Sequence, residues 1–340
     1  MGVKLQSALG GSVELNAPST ASNFTMTVPT TNGTVATTDQ LQNFRNKIIN
    51  GGLDIWQRGT SLSLTTTVYG PDRFQISSTS SSSVTRSTDV PSNLRSRYSM
   101  SVTSDQWGNG AVQIIEDLAN YVNGKTYTIS FWAKGTGASV GKTFKISIGW
   151  APEDPNLKTL SSEWQYYTRT ITFASNFRAI NGAGDNLYLA PVRSLDGANL
   201  ASGNTVLITQ IQMEEGSVAT PFEQRPIGLE LALCQRYYEQ YGPGYRVNLG
   251  VVTSTGSAQQ SVGGIQWLVP KRTNPSVTVS GLWRTLGQAQ GAAITLSFNE
   301  VTRTEALMIG TAASNYTSGV ANHIQSDDSA TGRVNVSAEL

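Results

Sequence analysis

The sequence predicts an all-β protein. Three observations carry that expectation: short runs in which apolar and polar residues alternate, turn-forming residues that recur between them, and one stretch of more than two turns with helical spacing among 340 residues. Residues 1–45 read as an extended leader. Val13, Leu15, Phe24, Met26 and Val28 alternate with polar neighbours in short runs broken by Pro18, Pro29 and Asn32-Gly33. Runs of that length pair as strands but bury no core of their own, so the leader is expected to find its partners in sister copies or another protein. Thr38-Asp39 offers a helix N-cap ahead of one or two turns over Gln40–Asn46.

Residues 46–225 are expected to form a sandwich of two antiparallel sheets. In Thr126–Ala133, Tyr127, Ile129, Phe131 and Ala133 fall on one face, and Phe144, Ile146 and Ile148 alternate with Lys145 and Ser147 in the next strand. Tyr166–Phe173 and Thr205–Met213 give two more strands. Turns are signalled at Asn123-Gly124, Gly135–Gly137, Pro152–Pro155, Asn181–Gly184 and Ser202–Asn204. The Ser77–Ser83 run reads as a solvated edge or loop inside this domain. Pro221–Pro226 marks the next boundary. In residues 226–340, Leu229, Ala232, Leu233, Arg236 and Tyr237 follow helical spacing, and Tyr237, Tyr238 and Tyr241 extend an aromatic stripe read as packing. A charge-poor C-terminal β-sandwich module then closes the chain, with strands expected at Leu249–Thr253, Gly264–Val269, Ser276–Val279, Ile294–Phe298 and Val334–Val336.

Composition excludes several functions. Charged residues are 14% and the formal net charge is +1, while 76 residues are Ser or Thr. Such a surface has no electrostatic footprint for nucleic acid or an anionic membrane. No run approaches the ~18 apolar residues of a membrane span, and the first residues lack the apolar core of a secretory signal. One cysteine, Cys234, excludes internal disulfides and a thiolate zinc cage. The single histidine, His323, reads as a surface residue, so no metal site and no cofactor are expected.

Two stretches narrow the reading. Asn46–Ser61, followed by Tyr69-Gly-Pro-Asp-Arg-Phe, resembles the opening of the jelly-roll β-sandwich found in many tailed-bacteriophage fibre proteins. Gln212–Pro226, running into Glu230–Tyr238, resembles its close, and Ile115-Glu116 with Ser130–Lys134 is similar to its middle strands. The leader, with Thr25–Pro29 and Asn32–Thr38, resembles the segment that docks such fibres to a virion. Lys271–Thr278 is similar to part of their C-terminal modules. The resemblance implies a carbohydrate-binding-module-like domain and a homotrimer attached to phage tail or baseplate proteins through residues 1–45. Leu15, Phe24, Met26 and Val28 are the candidate contacts. It also implies a virion protein made in the host cytoplasm, and it allows a structural calcium that no Asp-rich loop here specifies.

Sugar binding by a β-sandwich needs flat aromatic faces flanked by groups that share the hydroxyls' hydrogen bonds. Trp56, Trp132 and Trp164 sit in strand or framework motifs and read as core. Trp107, in a polar glycine-rich turn, and Trp150, heading the Pro/Asp loop, either pack under their own loops or present a ring. Trp283 and Tyr316 hold equivalent places in the C-terminal module. Those four are the candidate sugar-binding residues. No catalytic residue is assigned. The acidic neighbours Glu116/Asp117, Glu153/Asp154, Glu214/Glu215 and Asp327/Asp328 point to opposite faces when they lie on strands, and no nucleophile elbow precedes a helix. The expected function is adhesion of a tail fibre to host surface glycan. The alternatives are a structural head fibre or tail adaptor binding protein, and a depolymerising tailspike.

Overall fold

The computed structural model describes residues 3–6, 12–15 and, from 44 to 339, all but 67, 77–81, 93, 95, 104–110, 118–121, 150–153, 178–186, 194–204, 245, 255–258, 287–291, 314–318 and 328–330. The chain divides into two bodies, Met1–Thr37 and Thr38–Leu340. In the first, β1 (Val3–Gln6) and β2 (Ser12–Leu15) form an antiparallel pair with Val3 opposite Leu15. Phe24, Met26 and Val28 lie outside the described residues.

The second body is nearly all β. Its jelly-roll sandwich uses β3 (Ser61–Leu64), β4 (Val68–Tyr69), β5 (Phe74–Ile76), β6 (Ser82–Ser87), β7 (Ser99–Thr103) and β8 (Ala111–Ile115). It continues with β9 (Thr126–Thr136), β10 (Thr143–Ile148), β11 (Lys158–Thr159), β12 (Gln165–Thr172), β13 (Leu187–Arg193) and β14 (Thr205–Glu215). One sheet runs β11-β10-β13-β8-β5-β4 and the other β12-β9-β14-β7-β6-β3. Alternation decides what lies between them. Tyr127, Ile129, Phe131 and Ala133 of β9 are buried against Phe144, Ile146 and Ile148 of β10. Phe144 meets Tyr167 edge-on, with ring centroids 5.1 Å apart.

The Asn46–Gly52 motif is a strap along β14. Where β7 stops pairing, Lys47 N donates to Met213 O (2.8 Å) and Ile211 N donates to Gly51 O (2.9 Å). Asn46 Nδ2 donates to Ile211 O and Asn46 Oδ1 accepts from Met213 N. A Cβ on Gly51 would stand 2.1 Å from Ile211 O, so only glycine lets the strap approach.

A short helix, α1 (Ile227–Gln235), follows. Its expected apolar face is not the buried one: Glu230 and Cys234 are buried, whereas Ile227 and Leu229 are exposed. Glu230 can be buried because its carboxylate accepts from Asn50 N and pairs with Arg225. The helix stops before the tyrosines. Tyr238–Tyr241 forms β15, and Tyr237 and Tyr238 pack as expected of the stripe.

The C-terminal module adds β16 (Asn248–Ser254), β17 (Gln260–Gln266), β18 (Ser276–Ser280), β19 (Trp283–Leu286), β20 (Ala292–Asn299), β21 (Glu305–Ala312), β22 (Ala321–Ser326) and β23 (Arg333–Ser337). Its larger sheet closes on itself as the barrel β16-β17-β21-β20-β19-β22, with the sheet β15-β23-β18 beside it. Val334 and Val336 share a core with Leu249, Ile265, Met308 and Ile324. Lys271 explains its motif: the fully buried ammonium donates to the Glu239 carboxylate, to Gln235 O (2.8 Å) at the end of α1, and to Val269 O. Burial pushes that amine down, and Glu239 opposes the shift.

A clasp joins the two modules. Arg58 and Arg73 both pair with Glu339, and their guanidinium carbons lie 3.5 Å from the ring centroids of Tyr238 and Tyr237. Asp72, fully buried, accepts from Gln57 N, and Gln57 Nε2 also donates to Tyr238 O. Burial pushes the Asp72 carboxyl up, against the hydrogen bonds from Gln57 and the charge of Arg58. Replacing Glu339 with Gln strips the counter-charge from Arg73, whose side chain is 1% exposed. Breaking one side of a buried pair costs about 3 kcal/mol or more. Urea unfolding of the Glu339→Gln variant should show a correspondingly lower midpoint with an unchanged slope; an unaltered midpoint would mean that the clasp adds nothing.

Candidate functional site

The alternation that buries Phe131 sends Trp132 to the other side of the sheet. Thr128, Ser130, Trp132 and Lys134 project from the outer face of β9, and on β12 Tyr166, Thr168 and Thr170 stand opposite Trp132, Ser130 and Thr128. The Trp132 and Tyr166 rings lie 5.3 Å apart at 45°, and Tyr166 is 43% exposed. They floor a cleft of about 670 Å³ that also takes in Ser130, Gln210, Phe222 and Gln224.

Its walls are built by buried polar groups. β14 carries a bulge between Thr209 and Gln212, with Gln210 at φ 52°, which brings Gln210 to the cleft. Glu214, 1% exposed, accepts from Thr220 N (2.8 Å) and Thr220 Oγ1 (2.6 Å), and Gln212 Oε1 accepts from Glu223 N (2.8 Å). These bonds fold residues 219–224 back so that Phe222 stands beside Trp132 in the cleft. None of the described lining residues is charged.

Beyond Trp132 on the same face, Lys134 Nζ pairs with Asp89 Oδ2 (2.5 Å) and lies 5.7 Å from the Trp164 ring centroid, while Trp164 Nε1 donates to Asp89 Oδ1 (2.9 Å). Burial pushes Asp89 up, but the hydrogen bonds from Lys134 and Trp164 and the ammonium charge outweigh it and hold the carboxyl below its ordinary value.

These positions correct the sequence reading. Trp132 and Trp164, expected in the core, are only partly buried and lie on the outer face, whereas Trp56 is buried, with its indole N–H donating to Leu53 O (2.7 Å). The signal for Trp132 was present: four inward residues at odd positions of one strand put an even-numbered neighbour outside. Trp283, expected to present a ring, is 2% exposed in the barrel core, and its N–H is used by Ser280 O. Its strand parity points it inward, so it offers no face to a ligand. Trp107, Trp150 and Tyr316 lie outside the described residues.

His323 is exposed on the barrel, with Nδ1 3.3 Å from Asn248 Nδ2. Glu215 pairs with Lys125, and Glu116 is held by Arg236 and the Tyr237 hydroxyl. Among the described residues no three His, Cys, Asp or Glu side chains converge as a metal site, and no helix is long and apolar enough to cross a membrane.

Residues 69–181, which include Trp132 and Tyr166, match the family described as a carbohydrate binding domain. Among solved structures, the CBM22-1 xylan-binding domain of Paenibacillus barcinonensis Xyn10C is similar at 12% identity over 51% of this chain and 96% of that one, with a TM-score of 0.33. The C-terminal family 22 carbohydrate binding module of Clostridium thermocellum Xyn10B is 19% identical over 48% of this chain and 89% of its own, with a TM-score of 0.31. The enzymatically active domain of tailspike protein 4 from bacteriophage CBA120 is 14% identical over 51% of this chain and 22% of its own, with a TM-score of 0.25. Curated protein sequences give no match. The matched segment lies within the sandwich formed by β3 to β14.

The lowered Asp89 value makes a signed prediction. Its contribution to holding Trp164 is present above the ordinary aspartate value and is lost as pH falls through the lower folded one. Acid titration of tryptophan fluorescence should show a transition below pH 3.8 that is absent from Trp164→Phe and from Asp89→Asn.

Proposed function

We propose that the protein is a bacteriophage fibre that adheres to its host by binding surface glycan in the Trp132–Tyr166 cleft. The observation that carries this reading is an aromatic pair, Tyr166 exposed and Trp132 partly so, that floors a cleft with no charged side chain among its described lining residues. The pair belongs to the segment that matches a carbohydrate binding domain. Pyranose C–H faces stack on such rings, and Ser130, Gln210 and Gln224 supply the hydroxyl and amide partners that sugar hydroxyls require. The uncharged lining selects an uncharged stretch of glycan. The role is binding without bond cleavage.

The fibre assignment rests on the resemblance of Asn46–Ser61, Gln212–Pro226 and Lys271–Thr278 to phage fibre proteins. In it residues 1–45 hold the virion, the copies assemble as a homotrimer, and weak single sites gain from being presented several at a time. The hydroxyl-rich, nearly neutral surface suits a protein that must not adhere to polyanions.

A glycan array probed with the full chain tests the reading. Neutral oligosaccharides should bind, and Trp132→Ala should weaken them by about tenfold or more, the loss typical of an aromatic anchor, with circular dichroism unchanged. No neutral glycan bound, or full affinity in a folded Trp132→Ala variant, would overturn it. Prolonged incubation should leave polysaccharide length unaltered.

A further inference from the structure

A second cavity, of about 420 Å³, lies where the strap following Phe44 and α1 meet residues of β8, β9 and β14. Unlike the sheet-face cleft, it is lined by charge. Most of that charge is already matched: Lys125 pairs with Glu215 (3.0 Å), Arg236 with Glu116 (3.0 Å), Arg225 with both Glu230 (3.3 Å) and Glu223 (3.5 Å), and Arg73 with Glu339. Lys47 is the exception. Among the described residues its ammonium has only the Phe44 carbonyl, at 3.5 Å, and no carboxylate within ion-pair distance.

One further donor lines this cavity without an acceptor: the Tyr127 hydroxyl has no hydrogen-bond partner among the described residues. Burial, and then the charge of Glu215, push the Tyr127 phenol up to about 12, so it remains a donor at neutral pH. An acceptor in the cavity would give that hydroxyl the partner it lacks. The cavity therefore offers one ammonium without a carboxylate partner and one phenol without an acceptor among the described residues. Glu116 and Glu215, with lone pairs to spare, can accept from hydroxyls.

We propose that this cavity binds a small hydroxylated acid of monosaccharide size, such as a hexuronate, with Lys47 taking the carboxylate and Tyr127 donating to it or to a ring hydroxyl. This site is separate from the Trp132 cleft and does not depend on it. The chain would then hold an uncharged stretch of glycan on the sheet face and an acidic unit in the cavity beside the helix.

Calorimetric titration of the full chain with D-glucuronate, with D-glucose as the neutral control, tests this. Saturable glucuronate binding is expected, stronger than any binding of glucose and weakened by added salt. Lys47→Gln and Tyr127→Phe, which keeps the buried ring, should each lower the affinity by about tenfold, whereas Trp132→Ala should leave it unchanged. Absence of saturable binding, glucose bound as well as glucuronate, or an affinity indifferent to Lys47→Gln would overturn the proposal. Loss of glucuronate binding in Trp132→Ala alone would also overturn it and would place the acid on the sheet face instead.

Discussion

The carboxylate of Glu339 is the group on which the arrangement of the second body turns. It stands 266 residues beyond Arg73, yet it neutralises Arg58 and Arg73 at the opening of the sandwich. Those guanidinium groups lie over Tyr238 and Tyr237, where the chain leaves the helix. Charges taken out of water tolerate few arrangements, because each needs its partner at a defined place. The clasp therefore selects one packing of sandwich, helix and barrel. Lys271 repeats the device within the C-terminal module by binding Glu239 and the Gln235 carbonyl at the end of the helix. Both interactions give the Arg, Asp, Gln, Lys and Tyr residues of these segments a structural use away from the cleft floor.

The cleft depends on this framework indirectly. The strap occupies the part of β14 that β7 leaves unpaired, and the bulge there brings Gln210 to the cleft. Buried Glu214 and Gln212 then fold residues 219–224 back toward the sheet, where Phe222 completes the wall. Polar residues that look catalytic in a list of carboxylates thus act as scaffolding for an aromatic surface. Glu214 is fully engaged by Thr220, which leaves its oxygens no free face toward a bound sugar.

The two cavities differ in the property that sorts ligands. One is lined by rings, amides and hydroxyls, and the other by ion pairs and by Lys47, which has no carboxylate partner among the described residues. A chain with a formal net charge of +1 can carry both, because most ions beside the second cavity are paired with one another. On the outer sheet face Lys134 and Asp89 satisfy each other beside Trp164.

Much of the fold was legible in order. The strands expected at Thr126–Ala133, Tyr166–Phe173 and Thr205–Met213 are present, because period-two alternation is a property of the covalent backbone. The helix was legible in existence but not in orientation. Its buried face carries Glu230, whose acceptors are used by Asn50 and Arg225, groups far from it in sequence or outside its own turns. The candidate site was half legible. The chain itself determined that Trp132 and Phe131 face opposite ways, that Trp283 shares a strand face with Thr285, and that the surface would be short of ions. Which of those faces meets another sheet was decided only by the tertiary structure, because burial depends on segments brought together from distant parts of the chain. That is why Trp132 came to lie open beside Tyr166 while Trp283 was closed inside a barrel.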